Sequence, residues 1–359
     1  MRLNKRNIDF CYSLNIGMNA RIQKLKMRAD KLSVVSSFHN SEERKITYKK
    51  LKKMRQKEFK KYRIQYIRNK EGKPYRKALL IRGKKENSPV LLRIDYSPIN
   101  HNTGGIRLDF RPQHMTPKKI DHLLSWINCR LGGIFYQLLE RAWITQIDVA
   151  LDVYNCKLDD FLWGLDRAGQ TAYFDKENGL PGLRIGSCRS LLHILFYGKV
   201  NARSGGNLVF KEKAKFININ FDEHQQFLRI EARYRPNATP TSKNGNALML
   251  AHLLEMRNPF ERLRVYSKDL EDELLERGYL STLPDAPSIA EMKRYMMEAM
   301  QCSRLPRKVE RLIAEREIEL FDKRAVWAQW SRCVTQLSGI FSIASVYCVH
   351  RRVHNEKME

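Results

Sequence analysis

Ile144-Thr145-Gln146-Ile147-Asp148-Val149-Ala150-Leu151-Asp152-Val153 sets apolar side chains at positions 147, 149, 151 and 153 and polar ones at 146, 148 and 152. Alternation with a period of two describes a strand with one packed face and one wet face. Two other stretches repeat the pattern. Between Leu192 and Lys199, the apolar Leu192, Ile194 and Phe196 leave His193, Tyr197 and Lys199 on the opposite face. Between Leu228 and Arg235, the apolar Leu228, Ile230, Ala232 and Tyr234 leave Arg229, Glu231, Arg233 and Arg235 opposite. If these strands are neighbours, they form a sheet whose outer face is charged.

Working outward, Val90–Tyr96 and Ile106–Arg111 also alternate, and the loop between them ends in Thr103-Gly104-Gly105, which suits a hairpin. Thr116-Pro117 opens an amphipathic helix predicted to reach Glu140, with Thr116 as N-cap and Pro117 in the first turn. A short helix is expected over Leu158–Arg167 and another over Asn246–Arg257. Ser288 to Glu291 reads as a capping box opening a further helix, and Pro306 begins the next. The fold class is therefore α+β, a largely antiparallel sheet with packed helices. Residues 1–88 are expected to form a basic, mostly helical region that contacts DNA, 89–280 the antiparallel domain and 281–359 a helical region, with 281–288 as linker.

The chain has 66 Lys and Arg against 39 Asp and Glu in 359 residues, a formal charge of +27, and 43% hydrophobic residues, enough for a sizeable core. Residues 44–77 hold 16 of the basic residues and only two acids, Glu58 and Glu71. Ile46, Leu51, Met54, Phe59 and Tyr62 give this block a loosely helical apolar stripe. It is expected to be a basic helix ending before Gly72, with Lys49, Lys50, Lys52, Lys53, Lys60 and Lys61 meeting phosphate. Such an excess points to a polyanionic partner. The seven Cys are scattered without a C-x-x-C pair, which fits a reducing cytoplasm. The N-terminus lacks the continuous apolar core of a secretory signal. The uncharged run 333–349 is shorter and more polar than the roughly 20 residues of a spanning helix, so it is expected to be a buried element and no lipid is expected as a partner.

Several chemistries are excluded. No Gly-Lys pair is followed by Ser or Thr, so no phosphate-cradling P-loop exists. Neither His-x-His, His-x-x-Arg nor Gly-x-Ser-x-Gly occurs. On the charged strand face, Asp148, Asp152 and Glu231 are oxygen ligands of the kind Mg²⁺ or Mn²⁺ prefers. Tyr197 is a candidate nucleophile, its hydroxyl pKa of ~10 calling for a nearby cation, which Lys199 offers.

The stretch from Ile144 to Asp152 resembles the TRIDLAxD strand of the replication initiation factor family, the rolling-circle initiators of plasmids and filamentous phages. Arg184-Ile-Gly-Ser-Cys-Arg-Ser190 with Phe196-Tyr-Gly-Lys199 is similar to that family's GSRxS and RxYDK segments, and Leu228 to Arg233 to its RIE strand. The resemblance spans about residues 90–265. It implies a sequence-specific nicking and closing enzyme in which Tyr197 attacks one DNA strand to form a 5′-phosphotyrosine link. Asp148 and Glu231, with Asp152, would hold the metal, Lys199 would assist Tyr197, and Arg189, Arg229 and Arg233 would contact phosphate. It also implies double-stranded origin DNA, opened as a hairpin or single strand at the nick, a host helicase and DNA polymerase, and a bacterial cytoplasmic setting, with a homodimer as one form. Two positions depart from the family: Gly198 replaces an Asp and Gln146 an Arg.

Tyr173 competes as nucleophile. A non-catalytic DNA-binding regulator, an RNA-binding sheet and a basic membrane-surface protein are the other readings of the same composition.

Overall fold

The computed structural model describes residues 8–16, 19–56, 59–86, 88–154, 156–175, 181–201, 226–236, 239–240 and 247–345; side chains are described from Leu25 onward, apart from a few, among them that of Lys199. Eleven strands form one sheet: β1 (Ile8–Ile16), β2 (Asn19–Ser36), β3 (Tyr62–Arg68), β4 (Tyr75–Gly83), β5 (Val90–Pro98), β6 (Ile106–Phe110), β7 (Trp143–Tyr154), β9 (Thr171–Asp175), β10 (Pro181–Ile185), β11 (Leu192–Asn201) and β12 (Gln226–Tyr234). Their spatial order is β3-β4-β5-β6-β2-β7-β12-β11-β10-β9, with β1 beside β2, and all pairs are antiparallel. A small second sheet pairs β8 (Phe161–Leu165) with β13 (Leu263–Ser267). The architecture is α+β, as the alternation predicts.

One face of the large sheet is apolar. Met27, Leu108, Ile147, Leu151, Ile230 and Phe196 are fully buried there. Against them lie α1 (Ser41–Arg55), α2 (Pro117–Arg130) and α3 (Ile134–Glu140), through Leu51, Leu123, Ile127 and Leu138. Each such side chain contributes about 1.5–3 kcal/mol relative to exposure. Helices α4 (Asp269–Glu276), α5 (Ile289–Ala299) and α6 (Arg307–Glu315) build a second cluster around Leu162, Leu270, Met292 and Val309. The short α7 (Lys323–Trp327) and α8 (Trp330–Thr335) return to the main core through Val326, Trp330 and Val334. Residues 333–345 of the uncharged run include the buried Cys333, Val334, Leu337, Ile340 and Ala344, while 346–349 lie outside the described residues. No helix among the described residues is long and apolar enough to cross a membrane.

Local chemistry accounts for the boundaries. Thr116 Oγ1 accepts from the Lys119 amide at 3.3 Å, so the predicted N-cap forms. The stretch to Glu140 is two helices, because Gly132 and Gly133 take φ of 64° and 88° and break it. Ser288 precedes α5 but makes no side-chain cap bond; its hydroxyl meets that of Thr171 at 3.0 Å instead.

Four expectations are corrected. The basic helix stops at Arg55, and Tyr62–Arg68 pairs with β4, its Tyr62, Ile64 and Tyr66 turned toward the core. The region 1–88 is not a mostly helical extension. Its β2 lies hydrogen-bonded between β6 and β7, where Leu25, Met27, Leu32 and Val34 complete the apolar face. Leu158–Arg167 is a single 3-10 turn and then β8, whose five residues are all buried and cannot leave a wet helical face. Of the stretch 246–257, the described residues 247–257 hold 3-10 turns over Leu250–Glu255, bent at His252, in place of an α-helix.

Candidate active site on the polar face of the sheet

The sheet register arranges the opposite face in rows. Across one row, Phe174, Gly182, Tyr197, Arg229, Asp152 and Lys26 face one another from β9 to β2. The next row sets Glu231 between Leu195 and Ala150, and a third aligns His193, Arg233, Asp148 and Lys31. A Cβ on Gly182 would meet the Phe174 ring at 2.4 Å, so this position must be glycine for the ring to lie beside the row of Tyr197.

Tyr197 and Glu231 are diagonal neighbours, close enough for a long side chain to bridge. The Tyr197 hydroxyl donates to Glu231 Oε2 at 2.5 Å. Glu231 Oε1 accepts from Arg233 Nε at 2.8 Å, and the same nitrogen stands 3.6 Å from Asp148 Oδ2. Gln146 Nε2 donates to Asp148 Oδ1 at 2.7 Å. Burial foremost, then the Glu231 carboxylate, pushes Asp148 up to about 6. Burial, and again Glu231, raises the Tyr197 phenol well above its ordinary value. The unit formed by Tyr197, Glu231, Arg233 and Asp148 is therefore two carboxylates sharing one guanidinium, with a neutral phenol attached.

Asp152 belongs to a different unit. Arg229 Nε reaches Asp152 Oδ1 at 2.6 Å, while Arg229 Nη2 and Arg28 Nη2 reach Oδ2 at 2.9 and 2.6 Å. Arg229 also binds Asp30 Oδ1 at 2.9 Å, and Gln113 holds the other Asp30 oxygen at 3.0 Å. Both oxygens of Asp152 are thus occupied by guanidinium groups, which corrects its assignment as a metal ligand. Arg229 is 0% exposed and has its charge engaged by two aspartates, which corrects its assignment to DNA phosphate. A pair buried this deeply must be matched on both sides, since one unpartnered charge costs several kcal/mol.

Other expected residues lie apart. Arg189 is exposed in the turn before β11, and Tyr197 is five residues into the strand from Leu192, about 17 Å along it. Lys199 sits in β11 at the irregularity between Gly198 and Val200, and its side chain lies outside the described residues. Lys50 Nζ donates to the Leu131 carbonyl at 3.1 Å, next to the last residue of α2. Lys49, Lys52, Lys53, Lys60 and Lys61 are exposed, but α1 lies on the helical side of the sheet, not over Tyr197. Tyr173 is exposed on β9, and its register partner is Leu183.

No family model matches the chain, and no curated protein matches it. Among solved structures, the rolling-circle replication initiator protein from Geobacillus stearothermophilus aligns with a TM-score of 0.30 and 16% identity, covering 59% of this chain and 75% of that one. At that level of likeness, activity has to be argued from the residues themselves.

Among the described residues no group of three or more His, Cys, Asp or Glu is arranged to hold a metal. The donors nearest to such a site are Asp148 and Glu231. Two carboxylates are what Mg²⁺ commonly takes from a protein when substrate phosphate completes its shell; here the Arg233 guanidinium occupies the place between them, and a metal would enter only as that side chain turns away.

The residues that sequence reading missed come from β2. Lys26, Arg28 and Asp30 alternate with Leu25, Met27 and Ala29, a period-two signal present in the chain, and they bring the partners of Asp152 and Arg229. Beyond β2 the polar face continues as a hollow of about 270 Å³ lined by Lys31, Lys73, Arg93, Arg107 and Arg111 together with Asp95 and Asp109. Arg93 and Arg107 are each held by the aspartate two residues along, leaving the hollow net positive. Lys31, whose pKa burial lowers, joins this hollow to the Asp148 row.

Proposed function

We propose that the protein initiates rolling-circle DNA replication by nicking one strand of a double-stranded origin through Tyr197 and later rejoining it. The observation that carries this reading is the 2.5 Å hydrogen bond from Tyr197 to Glu231, with Asp148 joined to the same guanidinium. A phenol with a raised pKa is a poor nucleophile until a base removes its proton, and Glu231 is in place to accept it. The phenolate oxygen then attacks the phosphorus, the bond to the 3′ oxygen breaks, and that oxygen takes up a proton to leave a free 3′-OH. A 5′-phosphotyrosine bond remains. Reversal with a 3′-OH as nucleophile restores the phosphodiester and returns the proton to Tyr197. Asp148 and Glu231 would hold Mg²⁺ or Mn²⁺, which when bound neutralises non-bridging phosphate oxygens. Arg233, a third exposed, is placed to turn from the carboxylates to phosphate. The hollow around Lys31 and Arg107 would take the DNA backbone next to the cut. Host helicase and polymerase would supply unwinding and synthesis. The finer sequence likeness is to the replication protein RstA of filamentous phages.

A second reading is a non-catalytic DNA-binding regulator, favoured by Tyr197 being only 8% exposed. One experiment separates them. Purified protein, Mn²⁺ and supercoiled origin plasmid should give relaxed plasmid and a nucleotide-linked peptide containing Tyr197, and Tyr197→Phe should give neither. Undiminished adduct in Tyr197→Phe overturns the assignment; specific binding without any adduct favours the regulator.

A further inference from the structure

The helical side of the sheet carries a second basic feature, away from Tyr197. Arg44, Tyr48, Lys52 and Arg55 recur along α1 at spacings of four, four and three, which places them on one face of the helix. That face borders two adjoining hollows. The first, about 340 Å³, is lined by Tyr48, Lys49, Lys52, Arg55, Tyr66 and Lys77, with Tyr96 at its floor. The second, about 410 Å³, shares Tyr48 and Ser97 and adds Phe38 and Arg44. Together they make a groove extending about 16 Å beside the helix, from the rise of 1.5 Å per residue between Arg44 and Arg55.

The chemistry of this groove is one-sided. Five cations line it and no carboxylate does. Among the described residues, none of Lys49, Lys52, Arg55 and Lys77 forms a salt bridge, whereas Arg28, Arg93, Arg107, Arg229 and Arg233 on the polar face are each paired with a carboxylate. Aromatic faces are interleaved with these charges. The Arg55 guanidinium lies 3.9 Å from the centre of the half-buried Tyr66 ring, and Tyr48 stands 5.5 Å from both Phe38 and Tyr96. The groove is braced, since the Ser97 amide donates to the Tyr48 hydroxyl at 3.1 Å and that hydroxyl donates to the Gly105 carbonyl at 2.9 Å.

We infer that this groove binds single-stranded DNA, with phosphates on Lys49, Lys52, Arg55 and Lys77 and an unstacked base on Tyr66. The inference rests on the proposed action at an origin, where nicking and unwinding produce single strands. A concave channel that pairs cations with aromatic rings suits a strand whose bases are free to stack, and a duplex keeps its bases inside. Because the groove lies on the helical side and the cutting residues on the other, it holds a different segment from the one being cut. Arg55 now covers Tyr66, so an entering base takes the place of the guanidinium, which turns to phosphate.

The test uses full-length protein carrying Tyr197→Phe, so that binding is read without cutting and independently of whether Tyr197 is the nucleophile. Fluorescence anisotropy with a labelled mixed-sequence single strand and the matching duplex is recorded over a range of salt. Lys52→Gln with Arg55→Gln should flatten the slope of log affinity against log salt by about 1.4 for the single strand, from about 0.7 for each phosphate that the protein no longer neutralises. Tyr66→Leu, which keeps an apolar side chain against the core, should weaken the single strand by about fivefold to hundredfold with the salt slope unchanged, as removal of one stacked base does. Arg307→Gln with Arg311→Gln, on the exposed face of α6, removes the same charge outside the groove. Equal weakening by this control pair, or equal effects of Tyr66→Leu on single strand and duplex, overturns the inference.

Discussion

Glu231 stands between two groups of opposite character, its Oε2 accepting the Tyr197 hydroxyl at 2.5 Å and its Oε1 the Arg233 Nε at 2.8 Å. One carboxylate is thereby fixed by a cation on one side and aimed at a phenolic proton on the other. Glu231→Gln preserves size and an acceptor oxygen but removes the basicity. Nicking should fall by about 10²- to 10⁴-fold, the usual contribution of a positioned base, while origin binding changes little. Single-turnover nicking beside a filter-binding assay checks both.

Arg229 is the hub of the buried unit, so Arg229→Met leaves Asp152 and Asp30 facing each other without it. The expected loss is about 3–5 kcal/mol in urea unfolding, the cost of stranding a buried charge. The double change Arg229→Met with Asp30→Leu, which leaves the Arg28–Asp152 pair intact, should recover part of this loss. A residue acting only on phosphate would instead reduce DNA affinity and leave the unfolding midpoint in place.

Asp148 makes stability depend on pH in a specific direction. Its folded pKa of about 6 lies above the ordinary 3.8, so the folded chain binds more protons than the unfolded one between those values. Stability from this group is fully present below about pH 4, falls as pH rises through 6 and then levels. The displacement corresponds to about 3 kcal/mol in order of magnitude, at 1.36 kcal/mol for each pH unit. Asp148→Asn should flatten that part of the profile, as read by denaturant unfolding between pH 4 and 7.5.

Divalent cations should reverse part of this loss. At pH 7.5, Mn²⁺ should raise the melting temperature of the wild-type chain, since a ligand that binds only the folded state stabilises it, by about 2.7 kcal/mol at a hundredfold excess over Kd. Asp148→Asn and Glu231→Gln should each abolish the shift. Asp152→Asn, in which the altered group is held by Arg28 and Arg229, should be destabilised but should keep the Mn²⁺ response.

The strands that carry the site were legible because their alternation is clean: β7, β11 and β12 each show an unbroken apolar set, and the register places Tyr197, Glu231 and Asp148 together as that pattern requires. Periodicity assigns a side chain to a face, however, and says nothing of its partner. Asp152 shares its face with Asp148, yet meets Arg28 from 124 residues away and so enters another unit. In β3 the alternation of Tyr62, Ile64 and Tyr66 with Arg63 and Gln65 is present, but Tyr62 also continues the helical stripe of Leu51, Met54 and Phe59, and pairing with β4 selects strand over helix. Leu158 to Leu165 misled for the opposite reason, because a run buried on both sides has no polar face by which to recognise it.

The position of β2 has a consequence for how the chain assembles. This strand appears early in synthesis, but its partners β6 and β7 begin at residues 106 and 143. One of its edges pairs at once with β1 over Asn19–Met27, but the opposite edge must wait through a large part of translation for β7, and that pairing closes a long loop. Folding should be slow, and until β7 arrives the β7-facing edge of Leu25-Lys-Met-Arg-Ala29 is the segment a chaperone or a second nascent chain would meet. When β2 docks, it delivers Arg28 and Asp30 to the buried unit, so the zipping of two half-sheets and the neutralisation of their inner charges are one event.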